Sequence, residues 1–179
     1  MDWKTVATIL VTISLAAAGY INTLRLQKRR DQLDRINRQL KDLYGPLLAM
    51  TMASERAWSA FRQKYGVSGG FWGDNSSQRP FEVEGWRTWL TSVFMPINEQ
   101  MVEVITHGAD LIDEEKMPTC LLDLCAHVAA YRPVLKQWEQ GDYSEQTSVI
   151  DFPSDVHNYV DSAFRRIKAE QVKKLGRKA

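Results

Sequence analysis

Apolar residues recur at three- and four-residue intervals along almost the whole chain, the spacing of one face of an α-helix. No segment reads as a convincing pair of strands. The expected fold class is all-α, with an N-terminal transmembrane helix followed by a kinked antiparallel bundle of about four helices. Leu33, Ile36, Leu40, Leu43 and Leu47 follow one another at intervals of three, four, three and four. That is the seam of a bundle helix or of a coiled coil. Two uses of the seam stay open: packing within the chain, and association with a partner or a second copy. Gly45-Pro46 interrupts it. Proline has no backbone donor and its ring strikes the preceding turn, so a kink is expected near Tyr44.

The pattern resumes through Met50, Ala57, Trp58, Phe61 and Tyr65. A second helix is expected over about 82–107, with Trp86, Leu90, Val93, Ile97, Met101 and Val104 on one stripe, a second kink at Pro96 and a stop at Gly108. The third starts near Pro118, buries Leu121, Leu124, Val128 and Tyr131, and closes at Gly141. The fourth follows Pro153 with Val156, Val160, Phe164, Ile167 and Leu175. This divides the chain into an anchor (1–24), a kinked, coiled-coil-like amphipathic helix (25–65), a flexible glycine-rich loop (66–80) and the remaining helices of the same bundle domain (81–179). The loop carries Phe71 and Trp72, and these two aromatics are the first candidates for a partner contact.

Residues 5–24 contain no charged side chain. A helix of that length reaches roughly 30 Å, the thickness of a bilayer's hydrocarbon core. Trp3 and Tyr20 lie near its two ends, where aromatic rings favour the lipid–water boundary. A cleaved signal peptide ending at Ala16-Ala17-Ala18 is the rival reading. Apolar residues continue past those alanines, however, and the chain then turns basic.

Charge sharpens the picture. The chain carries 23 Lys and Arg against 22 Asp and Glu, but unevenly. Residues 25–41 hold seven basic and two acidic side chains, residues 165–179 seven and one, and residues 42–164 eight and eighteen. Arg25, Lys28, Arg29 and Arg30 follow the apolar stretch at once and are the expected contacts to lipid headgroups. By the positive-inside rule the N-terminus lies outside and the C-terminal domain in the cytoplasm, as in a single-pass protein of a bacterial inner membrane. If the fourth helix returns beside the first, both basic segments meet at the membrane-proximal end, with the acidic links farther out. Nucleic acid is not an expected partner, because no stacking aromatics interleave with the basic clusters.

Catalytic chemistry is hard to find. Two cysteines, Cys120 and Cys125, are too few for a disulfide scaffold. With His127 they lack the spacing and the fourth ligand of a structural zinc site, so no metal and no cofactor is expected. No phosphate-binding loop, nucleophile elbow or dinucleotide fingerprint is present. His127, Tyr131 and Arg132 lie within about one helical turn and form a weak candidate for a polar site.

Leu43-Tyr44-Gly45-Pro46-Leu47, Phe94-Met95-Pro96-Ile97-Asn98, the stretch 120–131, the stretch 138–144 and Phe152-Pro153 together resemble uncharacterised single-span bacterial membrane proteins with a cytoplasmic helical domain. The resemblance implies this architecture and brings no activity with it. The leading expectation is a membrane-tethered helical interaction module, an adaptor or accessory subunit without catalysis, with membrane lipid and a protein partner or a second copy as its contacts. The alternatives are a membrane-anchored enzyme or ligand-binding bundle with its site near His127, and an exported helical protein after signal-peptide cleavage.

Overall fold

The structure is a computed structural model. It describes residues 2–65 and 80–176, and leaves out the side chains of residues 6–9, 11 and 80–82. The described residues are all-α. Helix α1 spans Trp3–Arg38, α2 Gly45–Tyr65, α3 Pro80–Trp89, α4 Met95–His107, α5 Thr119–Glu139 and α6 Val156–Leu175. The loop carrying Phe71 and Trp72 lies outside the described residues.

The two prolines expected to kink the helices are accommodated in the same way. Between α1 and α2 the chain widens into a π-helical segment, Gln39–Tyr44, and between α3 and α4 into another, Leu90–Phe94. In each, the residue before the proline donates its N–H five residues back: Gly45 to the Leu40 carbonyl and Met95 to the Leu90 carbonyl. The extra residue in the wide turn relieves the clash that Pro46 or Pro96 would make in an α-helical turn. The helix therefore runs on through each proline. The aromatic two residues ahead of each proline, Tyr44 or Phe94, is buried. Gly45 is required by close approach: a Cβ there would lie 2.3 Å from the Leu40 carbonyl oxygen. Pro133 is carried inside α5.

With α1–α2 and α3–α4 each running on as one helix, the body is a four-helix arrangement with antiparallel neighbours. Along the α1–α2 rod, Asn37 meets Gln171, Tyr44 meets Tyr159 and Thr51 meets His157, so α6 runs opposite to it. The core has two parts. One is mainly aliphatic, with Leu43, Leu47, Met101, Ile105, Leu121, Leu124, Val160 and Ile167. The other is aromatic, with Phe61, Trp86, Phe94, Tyr131 and Trp138. Of the leucine seam, Ile36, Leu43 and Leu47 are buried in the chain's own core, and Leu40 packs against it. Leu33 is half-buried. The seam is spent on intramolecular packing, so those buried positions offer no face for self-association.

α6 ends beside Arg29, whose guanidinium donates to the Lys174 carbonyl, while Lys174 Nζ donates to Gln32 Oε1 at 2.9 Å. The two basic segments therefore meet at one end of the body, as the topology required. The acidic link after α4 is at that same end, contrary to the expectation that it lies farther out. After two antiparallel passes the chain is back where it started. Asp113 takes bonds from Arg35, Arg166 and Gln39, and Asp110 pairs with Arg38 at 3.1 Å. Arg35 and Arg38 are thus neutralised within the fold, whereas Arg25, Lys28 and Arg30 have no ion-pair partner among the described residues.

Below that end, residues 3–28 extend from the body as a lone helical arm, roughly 40 Å long at 1.5 Å per residue. Every described side chain on it is exposed, including Trp3, Leu10, Ile13, Leu15, Tyr20, Ile21 and Leu24. Ser14 and Thr23 bond back to the carbonyls of Leu10 and Gly19, which satisfies their hydroxyls within the helix. Among the described residues no helix is long and apolar enough to cross a membrane. The structure thus supplies the helix expected over 5–24, and does not supply the span.

Candidate functional site

A cavity of about 490 Å³ opens at the junction of the aliphatic and aromatic cores, within the roughly 300–1,000 Å³ usual for small-molecule sites. Four helical faces converge on it. α2 contributes Thr51, Ser54, Glu55 and Trp58, at the i, i+3, i+4, i+7 spacing of a single face. Trp86, Leu90, Phe94 and Asn98 continue a four-residue rhythm through the second π segment. α5 brings His127 and Tyr131, and α6 brings Val156 and His157.

The remaining wall is the link between α5 and α6. Thr147, Ser148, Ile150, Asp151 and Phe152 from this segment face the cavity. Three ring N–H groups of the body pin its carbonyls. Trp138 Nε1 donates to Glu145 at 2.8 Å, Trp86 Nε1 to Gln146 at 2.9 Å, and His127 Nδ1 to Ile150 at 2.7 Å. Arg87 lies over the Tyr143 ring, 4.2 Å from its centre, a cation–π contact. A segment that reads as a polar loop is therefore a strap, tied to the bundle by buried aromatic donors.

His127 is 5% exposed. A carbonyl can only accept, so Nδ1 must carry the proton, which leaves Nε2 as a lone-pair acceptor in the neutral ring. Burial pushes its pKa below the ordinary value, against the opposing effect of the Ile150 bond and nearby Asp151. The ring meets Tyr131 and Phe152 edge-on, with centres 5.0 and 5.6 Å away. Burial also raises the Tyr131 hydroxyl to about 12, so it is protonated at neutral pH. His157 Nδ1 lies 3.2 Å from Thr51 Oγ1, and its Nε2 lies 3.9 Å from Glu55 Oε2. Thr51 Oγ1 also donates to the Leu48 carbonyl at 3.1 Å. This chain of groups resembles an acid–base–nucleophile relay only in outline, because Thr51 is 2% exposed and its proton already has an acceptor.

Asn98 marks the site most sharply. It is 2% exposed and lines the cavity, and its side-chain oxygen has no hydrogen-bond partner among the described residues. A buried acceptor left unpaired costs about 1–3 kcal/mol.

Of the polar site anticipated from sequence, His127 and Tyr131 are brought to the cavity, while Arg132 is exposed and does not line it. Residues in this position on a helix, next to one that points inward, turn to solvent. Glu55, Trp58, Trp86, Asn98 and His157 were not anticipated. The polar i, i+3, i+4, i+7 run from Thr51 to Trp58 was the available signal. It reads equally well as a solvated face until α4, α5 and the strap cover it. Cys120 and Cys125 lie elsewhere, in or against the aliphatic core, and burial raises both thiols. Among the described residues no three histidine, cysteine or carboxylate side chains are placed to hold a metal.

At the opposite end from the strap, a groove of about 550 Å³ runs between α1 and α6, lined by Arg29, Gln32, Glu170, Lys173 and Lys174. It is a polar surface groove at the foot of the arm. Of the four residues expected at lipid headgroups, it includes Arg29; Arg25 and Lys28 are exposed along the arm just below, and Arg30 is exposed next to Arg29 in the helix. No family model matches the chain, and no curated protein or solved structure matches it.

Proposed function

We propose that the protein is a membrane-tethered helical module whose body binds a small molecule in the cavity between α2, α4, α5 and the strap. The observation that carries this reading is the cavity itself, walled by four helices and the strap. Of the roles considered from sequence, a ligand-binding bundle near His127 therefore stands ahead of a purely adaptor role.

The tether rests on separate features. Covering each exposed leucine or isoleucine of the arm is worth roughly 1.5–3 kcal/mol, and the exposed row from Leu10 to Leu24 makes a bare arm in water unfavourable. The unpaired Arg25, Lys28 and Arg30 sit where anionic headgroups would lie, at roughly 1 kcal/mol each. On the positive-inside rule the body is cytoplasmic. A second reading uses the same exposed face to pair with another protein's helix, which keeps the adaptor role alive for the arm.

Flotation of the full chain with liposomes containing anionic lipid, against a chain lacking residues 1–24, tests the tether. Loss of flotation on truncation is expected. Equal flotation of both would contradict it. Screening the full chain in detergent with a chemically mixed fragment library, against a cavity-filling Ser54→Trp variant, tests the binding role. Hits that disappear in the variant are expected, and an absence of such hits would remove the ligand-binding reading.

A further inference from the structure

Resting on that reading, we infer that the cavity takes an organic cation, an ammonium-type group carried on an apolar or aromatic body. The charged and polar groups facing the space are unusually one-sided. Glu55 and Asp151 are carboxylates, and among the described residues no lysine or arginine lines the cavity. Burial favours the neutral ring of His127, and the His157 ring lies beside Glu55, Nε2 3.9 Å from Oε2. A negative ligand would thus meet two carboxylates and find no fixed cation to hold it.

Two of the uncharged polar groups in the wall point the same way. Asn98 Oδ1 is an acceptor without a donor. His127 Nε2 is an acceptor once Nδ1 is committed to the Ile150 carbonyl. A ligand that satisfies His127 Nε2 must bring an N–H or O–H donor, and an ammonium brings donors together with the charge that Glu55 and Asp151 favour.

The third observation is the aromatic wall. Trp58, Trp86 and Phe94 lie with ring centres 5.9–6.1 Å apart, tilted or edge-on to one another, and all three line the cavity. Their mutual packing leaves no cage between them, so they form a wall. Such a wall supplies apolar surface for the ligand's body, and aromatic rings attract a cation. The acidic, aromatic and acceptor features come from α2, α3, the second π segment, α4, α5 and the strap, so no single element accounts for the arrangement.

The experiment is isothermal titration calorimetry of the full chain in a non-ionic detergent with three probes sharing one ring. Tryptamine carries a cation, tryptophol is neutral and indole-3-acetate is an anion. Tryptamine is expected to bind at least about tenfold more tightly than the other two, the scale of one charge-assisted hydrogen bond. Glu55→Gln, a change at an exposed carboxylate, is expected to remove most of that preference, and Asn98→Leu to weaken tryptamine binding. Ser54→Trp controls for partition into the micelle. Equal affinities, a reversed order, or a preference untouched in Glu55→Gln with Asp151→Asn would overturn the cation assignment. If none of the three probes binds while members of the fragment library still engage the wild-type cavity, the cation assignment falls and the ligand-binding reading stands. If nothing in the library engages it, the reading itself falls, and the assignment with it.

Discussion

His127 Nδ1 lies 2.7 Å from the carbonyl oxygen of Ile150, across 23 residues of chain. This bond fixes the ring's tautomer and ties the strap to α5. Because burial holds the His127 pKa below its unfolded value of 6.5, the native state resists a proton that the unfolded chain accepts. Its contribution is complete above about pH 6.5 and is lost as pH falls from there toward the lower folded value. Urea unfolding at pH 7.5 and pH 5.5 should show a drop in midpoint that His127→Asn reduces. An equal drop in both proteins would place the pH dependence elsewhere.

Asn98 should cost the empty protein stability. Replacing it by leucine removes the unpaired buried oxygen, and a gain of about 1 kcal/mol is expected, or roughly 2–4 °C in Tm. Thermal unfolding without added ligand checks this. A loss of more than 2 °C would show that Asn98 serves the fold rather than a site.

Gly45→Ala should destabilise. The added methyl meets the Leu40 carbonyl oxygen at 2.3 Å, in the turn that accommodates Pro46. An overpacking cost of about 1–3 kcal/mol is expected. An unchanged unfolding midpoint would mean that the Leu40 carbonyl gives way to the methyl without cost.

Asp113 sits between α1, α6 and the α4–α5 link. Partial burial would raise its pKa, but bonds from Arg35, Gln39 and Arg166 outweigh that and hold it below 3.8. Its contribution is therefore present above about pH 3.8 and is lost as pH falls below that value. Asp113→Asn should remove part of the acid sensitivity below pH 4 and lower stability at pH 7 by about 1 kcal/mol, because these groups are partly exposed and screened. Denaturation across pH 3–7 tests both signs.

The helical fold was legible because its signals are local. The stripes of α4, α5 and α6 sit at helical spacing, Gly141 closes α5 in the left-handed conformation at φ 79°, and Gly176 does the same for α6. The π segments were only half legible: Pro46 and Pro96 announced a disturbance, but not that a wider turn would absorb it. The seam from Ile36 to Leu47 leaves two uses open in sequence, and its packing in the chain's own core depends on the arrival of α4, α5 and α6, which the seam itself does not announce. The site was mostly hidden. His127 and Tyr131 could be paired because they share a helix face, whereas Glu55, Asn98 and His157 come from three other helices and are joined by packing alone. Arg132 failed for the converse reason, since nearness in sequence on a helix does not give a shared face. The strap was read as a loop because its anchors are backbone carbonyls, which carry no side-chain signature.

The most direct measurement is the indole N–H region of a ¹⁵N–¹H spectrum of the full chain in detergent, titrated with the fragment library. The chain has six tryptophans, of which Trp58 and Trp86 line the cavity. A site in this cavity requires their two signals to move first and together, with Trp3 at the exposed end of the arm unaffected, and the shifts to vanish in Ser54→Trp. Shifts confined to Trp3, or the same shifts in the filled variant, would contradict a ligand site in the body.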